Sequence, residues 1–297
     1  MIEVSWDSHP ELYNDHELAL DYCRNIIHPT EPPETVFHTQ WMTSSIGRKQ
    51  AMSIKAFLAT QNLDKCRLIV WVDRPATTKW AEEVKHPRVE FQIFDPDQLA
   101  KGSPLEAAAK RSDNRNRRFC NYDHTDILRL LVLFQYGGIW IDMDTVPFRD
   151  FAPVLHQEFT YQWGRSFGQS CGGIIRMFKE SGNVGAILEH YTKHHRELGP
   201  TRELFDDLRP TVEQPWAVWP SAWFNTEWGV QPSFRHDDPE WFKFIRSSHV
   251  KTKWSHEMFD GCFAWHWHNE WEREPEEGSK WCLVEKRVTD LFDAKFK

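Results

Sequence analysis

The stretch from Tyr122 to Phe148, YDHTDILRLLVLFQYGGIWIDMDTVPF, restricts the fold of this chain more than any other. From Ile127 to Phe134 the residues are apolar apart from Arg129, and no Gly or Pro intervenes before Tyr136. Such a run of helix formers predicts a helix buried over most of its circumference. Asp123 or Thr125 offers it an N-cap. Asp126 and Arg129 are three apart and share one helix face. An acid and a base in so apolar a helix serve either a structural pair or a site. Gly137 and Gly138 follow at once. One glycine can take the left-handed C-terminal position, and the other lets backbone pass close to a neighbour or a ligand. Ile139-Trp140-Ile141 then predicts a short buried strand with Asp142 at its C-terminal end, the edge where open α/β sheets bind ligands.

Asp142 and Asp144 alternate around Met143, so in extended backbone both carboxylates point the same way. Two like charges on one side repel unless a cation, a donor or a proton intervenes. A hard cation with oxygen ligands is the simplest answer, and Mg²⁺ or Mn²⁺ characteristically fills its remaining shell with water and substrate phosphates. A lone D-x-D is a weak signal. After a hydrophobic helix, a GG turn and a hydrophobic strand it is a strong one.

Thr125, Asp126, Arg129, Gly137, Gly138, Trp140, Asp142 and Asp144 form the pattern T-D-x-x-R, then G-G-hydrophobic-aromatic-hydrophobic-D-x-D. This pattern resembles the sugar-binding region of glycosyltransferase family 32 and its relatives. Those include α-1,4-galactosyl-, α-1,4-N-acetylglucosaminyl- and yeast-type mannosyltransferases, and the clostridial glucosylating toxins. Trp140 stands where tyrosine is often found. The resemblance implies a GT-A-like α/β fold in one domain, with a mostly parallel, Rossmann-type central sheet flanked by helices. It also implies a nucleotide-sugar donor, retention of anomeric configuration and a divalent metal, Mn²⁺ or Mg²⁺. In that reading Asp126 and Arg129 contact the donor sugar, Asp142 contacts ribose and sugar hydroxyls, and Asp144 ligates the metal.

The resemblance extends more loosely along the chain. Val36 to Trp41 matches the family's first strand, so Phe37, His38 or Trp41 is expected at the nucleotide base. The alternative for His38 is a hydrogen-bonded strand histidine. Gln169 or Ser170, before a second glycine-led strand, matches a polar residue that touches the donor sugar. In CFAWHWHNEW, from Cys262 to Trp271, His266 or His268 completes the metal or diphosphate shell, His266 fitting better by spacing, and Trp271 caps the leaving group. Imidazole suits Mn²⁺ better than Mg²⁺. The division implied is an N-terminal appendage over 1–33, a donor-binding half over 34–150, and an acceptor-binding half over 151–297 that carries the metal or diphosphate loop.

Elsewhere the pattern is that of an α/β protein. Strands are predicted at Arg67–Asp73, Val89–Phe94 and Phe159–Trp163, and helices at Arg48–Gln61, Thr77–Val84, Asn183–Leu198 and Lys280–Phe296. Asp73 could face the nucleotide, but Asp73-Arg74-Pro75 reads better as a turn. The basic run Lys110 to Arg118 is a solvated loop or a loop approaching diphosphate. Among 16 tryptophans, most are expected in the core. Trp216, Trp219, Trp223 and Trp228 lie in an irregular segment suited either to an acceptor groove or to a loop over the core.

A net charge of −8 over 297 residues gives no support to nucleic-acid binding. The scattered cysteines lack zinc spacing and read as free thiols in a reducing compartment. No stretch approaches the ~20 apolar residues of a membrane span, and the N-terminus is unlike a signal peptide. The expectation is a cytoplasmic enzyme of bacterial or viral origin, or a chain trimmed of its anchor. The function expected is metal-dependent, retaining transfer of a hexose-type sugar, as in polysaccharide biosynthesis. The donor is a UDP-sugar in preference and the acceptor a glycan or other hydroxyl, with Asp142, Asp144 and Arg129 as the catalytic groups. One alternative is a haloacid-dehalogenase-type phosphatase, because Asp142-Met143-Asp144-Thr145-Val146 also fits its D-x-D-x-T/V signature. That motif normally follows the first strand of its fold. The other is a non-catalytic glycan-binding module of the same shape.

Overall fold

The structure is a computed structural model that describes residues 11–42, 45–107, 122–163, 170–179, 181–194, 201–225, 261–269 and 271–297. Its centre is a seven-stranded sheet of β1 (Thr35–Trp41), β2 (Cys66–Val72), β3 (Val89–Ile93), β4 (Gly138–Ile141), β6 (Phe159–Gln162), β7 (Ser170–Met177) and β8 (Ala217–Trp219). The spatial order is β3-β2-β1-β4-β7-β6-β8. Pairings are parallel from β3 through β4, and β7 alone runs against its neighbours β4 and β6. This is the mostly parallel α/β sheet that was expected. Two shorter strands, β5 (Thr145–Pro147) and β9 (Ala264–His266), pair antiparallel in a separate ribbon.

The helices flanking the sheet include α1 (His16–Arg24), α2 (Arg48–Thr60), α3 (Tyr122–Tyr136), α4 (Gly182–His194), α5 (Thr201–Leu208) and α6 (Lys280–Phe296). Both sheet faces are covered, and β4 shows how. Ile139 and Ile141 enter one apolar cluster with Phe37, Phe57 and Phe151, while Trp140 enters a second with Leu131, Val132 and Ile175. Successive side chains of a strand point to opposite faces, so a strand buried on both reads as an unbroken apolar run.

The GG turn does the two jobs expected of it. Gly137 ends α3 at φ +62°, its N–H donating to Leu133 O at 2.8 Å. Gly138 at φ +102° admits Val36 O so closely that a Cβ there would sit 2.2 Å from it. Helix α3 thereby delivers the chain straight into the sheet between β1 and β7.

Tryptophan mostly fills the interior. Trp140, Trp216, Trp219, Trp223, Trp265, Trp267 and Trp281 are fully buried. The aromatic segment near Trp216 is therefore a core element in its described part: Trp216 packs on Phe205, and Trp219 stacks on Trp223 at 5.1 Å. Trp228 and the basic run Lys110 to Arg118 lie outside the described residues. No helix among the described residues is long and apolar enough to cross a membrane.

Candidate active site

Asp142 leaves the C-terminal end of β4, and the chain turns there, Thr145 N–H donating to Asp142 O at 2.9 Å. The expectation of extended backbone between the two acids is corrected on this point. A turn brings the two carboxylates together, not strand alternation. β5 then starts at Thr145 and pairs with β9, Thr145 opposite His266. That register carries His266 to the aspartates. Among the described residues, Asp142, Asp144 and His266 form a group whose ligand atoms all lie within 4.8 Å of one another.

The partners of each side chain differ. Asp144 is almost wholly buried. Its Oδ1 lies 3.2 Å from His266 Nε2, and its Oδ2 accepts from Asn269 N–H at 2.7 Å. The second contact depends on backbone at His268 and Asn269, both left-handed at φ 54° and 62°. Such residues cost energy that the surrounding contacts must offset. The Asp142 side chain keeps 24% of its surface, so the group opens on its side. Its Oδ1 accepts from Trp140 Nε1 at 2.7 Å and lies 3.5 Å from Arg129 Nη1. Arg129 also pairs with Asp126 at 2.7 Å and donates to Gly172 O. Helix α3 and strand β4 thus place Asp126, Arg129 and Asp142 in one charged row, buried at its centre.

Electrostatics divides the two acids. Burial pushes the Asp142 carboxyl above its ordinary range; Arg129 opposes that and Asp144 adds to it. Burial acts upward on Asp144 too. There it is overcome by the His266 charge, by the hydrogen bond from His266 and by the Asn269 N–H, so the carboxyl falls below its ordinary range. For His266, burial favours the neutral ring, yet Asp144 outweighs it and raises the imidazole well above the usual value. The pair therefore sits as carboxylate and imidazolium.

The remaining expected residues are spread more widely. Phe37 is a core residue with no exposure, edge-on to Phe57 at 5.1 Å. His38 is equally buried. Its Nε2 is 3.0 Å from Gly137 O and its Nδ1 accepts from Trp71 Nε1 at 3.4 Å. Burial lowers its pKa to about 3. Strand β1 lies between two parallel neighbours with both faces covered, and its middle residues point into the interior. Of Phe37, His38 and Trp41, only Trp41, at the strand's end, remains partly exposed; it lies 4.3 Å from the Trp271 ring. Trp271 is held on a loop whose Trp271 and Arg273 carbonyls accept from Lys49 Nζ. Ser170 is fully buried, its N–H donating to Asp206 at 2.8 Å. Gln169 lies outside the described residues. The His268 ring lies 4.1 Å from that of His266, tilted by 33°, and meets Asn225 Nδ2 at 3.1 Å.

Sequence reasoning missed the groups behind His266. Tyr161 Oη lies 3.1 Å from His266 Nδ1, and Cys171 Sγ donates to Tyr161 Oη at 2.9 Å. A crevice beneath the Asp142 turn is lined by Thr39, Ser53 and Thr145, whose buried hydroxyls have no hydrogen-bond partner among the described residues. No local motif marks any of these positions.

Residues 48–160 match the family described as the glycosyltransferase sugar-binding region containing the DXD motif. The chain carries a glycosyltransferase sugar-binding region. By that region it is an enzyme of the glycosyltransferase class, in line with the resemblance to family 32. A search of curated proteins finds no match to the chain. Among solved structures, the PaToxG glycosyltransferase is 18% identical with a TM-score of 0.47, over 70% of this chain and 81% of that one. The apo-form glycosyltransferase GlyE of Streptococcus pneumoniae TIGR4 is 10% identical with a TM-score of 0.49, over 89% of this chain and 63% of that one. The apo structure of the bifunctional glycosyltransferase WbbM is 9% identical with a TM-score of 0.47, over 91% of this chain and 53% of that one. Likenesses this distant assign nothing further to this glycosyltransferase. The DXD region implies a divalent metal, and the residues present fit one. Two carboxylates and an imidazole within 4.8 Å form an oxygen–nitrogen donor set for a divalent cation. The phosphatase reading is not favoured: the D-x-D here follows the fourth strand in the chain, and the matched region is that of a glycosyltransferase.

Proposed function

We propose that this glycosyltransferase moves a hexose-type sugar, with retention, from a nucleoside diphosphate sugar to a glycan or other hydroxyl acceptor. A UDP-sugar is the favoured donor. The observation that carries the reading is the convergence of Asp142, Asp144 and His266 beside the Arg129–Asp126 pair. A divalent cation held by these three, Mn²⁺ in preference because of the imidazole, would neutralise charge on the departing diphosphate.

The chain's own groups supply the rest. Arg129 is kept charged by two carboxylates and is fixed by Gly172 O, so it offers a preorganised positive charge at the donor sugar. Asp126 and Asp142, oriented by Arg129 and Trp140, accept hydrogen bonds from sugar and ribose hydroxyls. Trp41 and Trp271 present an aromatic corner to the nucleotide. In this reading residues 34–150 form the donor half and 151–297 the acceptor half, with 1–33 as an appendage.

A panel of nucleotide sugars with Mn²⁺, scored for slow release of free nucleoside diphosphate in the absence of acceptor, tests the proposal. Release from one UDP-sugar, abolished by chelator, is the expected result. Activity that persists in chelator would remove the metal role. Phosphate released from simple phosphomonoesters would overturn the reading altogether.

A further inference from the structure

His266 has two ring nitrogens, and the structure gives each a separate task. Nε2 faces Asp144 Oδ1 at 3.2 Å. Nδ1 faces Tyr161 Oη at 3.1 Å. A neutral histidine that ligates through one nitrogen carries its proton on the other, and that proton needs an acceptor. We propose that Tyr161 is the positioning residue for His266: its hydroxyl accepts the Nδ1 proton and turns Nε2 toward the cation. The proposal rests on the reading of Asp142, Asp144 and His266 as metal ligands. Tyr161 lies just past the matched segment 48–160, in a part of the chain with no motif.

The surroundings of Tyr161 restrict it to this role. The residue has no exposure, and its strand is clamped on both sides, with Tyr161 opposite Cys171 on β7 and Trp219 on β8. Its ring packs on Phe224 at 5.5 Å. Cys171, 2% exposed, donates to the hydroxyl from the neighbouring strand. Gly173 completes the arrangement by absence. A Cβ at Gly173 would lie 3.1 Å from both Tyr161 Oη and His266 Cε1. Any side chain there would press on the hydroxyl and the imidazole together. A ring flipped about its axis would place Cδ2 against Oη and Cε1 toward Asp144, so the hydroxyl also keeps Nε2 facing the aspartates.

The test is titration of the full chain with Mn²⁺ alone, followed by electron paramagnetic resonance. Tyr161→Phe should keep its circular dichroism and cooperative unfolding while Mn²⁺ binding weakens on the order of 10–100-fold. Tyr161→Phe combined with His266→Ala should bind no worse than His266→Ala alone, because Tyr161 acts only through the ring. Parent-like binding in Tyr161→Phe, with His266→Ala weakened, overturns the proposal and leaves the metal reading in place. Equal Mn²⁺ binding by the parent and His266→Ala removes His266 as a ligand, and the proposal with it. If Tyr161→Phe does not fold, Gly173→Ala takes its place: weakened binding supports the proposal, and unchanged binding overturns it.

Discussion

Two buried histidines sit on strands of this protein, and they have opposite chemistry. His38 meets a carbonyl, an indole N–H and the tilted ring of Tyr136, and burial keeps it neutral with a pKa of about 3. His266 meets the Asp144 carboxylate, which holds it charged against the same desolvation. Each is backed by a glycine, Gly138 behind His38 and Gly173 behind His266. Burial and close packing therefore do not separate a structural histidine from a functional one. The partner does. A neutral acceptor gives a hydrogen-bonded staple between β1 and the GG turn, whereas a carboxylate beside a partly exposed second acid gives a donor set that fits a divalent cation.

The largest test of that contrast is Asp144→Asn. It preserves shape but removes the charge that distinguishes His266 from His38. Transfer should fall by at least about 10²–10³-fold, and Mn²⁺ binding should be lost with it, measured by kcat/KM and by titration. Asp144→Ala is a poorer probe, since it also strips the acceptors of His266 Nε2 and Asn269 N–H and leaves a buried charge unpaired, at roughly 3–5 kcal/mol.

Next, exchanging the two histidines' roles is read by paired variants. His266→Ala, which removes a ligand outright, should weaken Mn²⁺ at least as much as loss of its outer partner does, about 10–100-fold or more. His38→Ala should leave Mn²⁺ affinity unchanged and lower stability by about 1–3 kcal/mol, since Trp71 Nε1 and Gly137 O lose their partner. Loss of Mn²⁺ binding in His38→Ala would break the comparison.

The pH responses have opposite signs. The folded-state pKa of His38 lies below its unfolded value, so the unfolded chain binds the extra proton and stability falls as pH drops from about 6.5 toward 3. The folded-state pKa of His266 is raised. Its contribution is fully present below the unfolded pKa and is lost as pH climbs through the folded one. A cation must displace the His266 proton, so Mn²⁺ affinity should rise with pH and binding should release protons, both visible by calorimetry in two buffers. Affinity independent of pH would contradict the assignment of His266.

The smallest effect is expected at Glu285, whose pair with Arg48 ties α6 to α2 at the surface. Glu285→Gln should change stability by no more than about 1 kcal/mol and Mn²⁺ affinity not at all. A carboxylate matters here only where water is excluded.

Much of the unit that bears the two acids was legible in the chain order because its logic is local. The apolar helix, the Gly137-Gly138 turn, the strand and the acids occupy a few turns of continuous sequence, and the side-chain period shows that both sheet faces are covered. The limits of α6 matched residue for residue, since Ser279 caps it and its apolar spacing is regular. Phe37 shows where the reading went astray. The family pattern offered it as one of three residues for the nucleotide base, alongside His38 and Trp41, but its side chain is directed into the core. His266 was found through resemblance and spacing, not through anything its own neighbours signal.

The helix–turn–strand unit and the place of Arg129 and Asp142 on it were legible from sequence alone, because residues a few positions apart on regular backbone have their relative positions set by its geometry; the turn that brings Asp144 beside Asp142 was not. Tertiary structure decided the rest. The pairing of Thr145 with His266 joins segments more than a hundred residues apart, and Tyr161, Cys171 and Gly173 reach the same imidazole only once β6 and β7 lie side by side. Contacts of that kind depend on strand register, which is settled by packing over the whole sheet and leaves no mark on any short stretch of sequence.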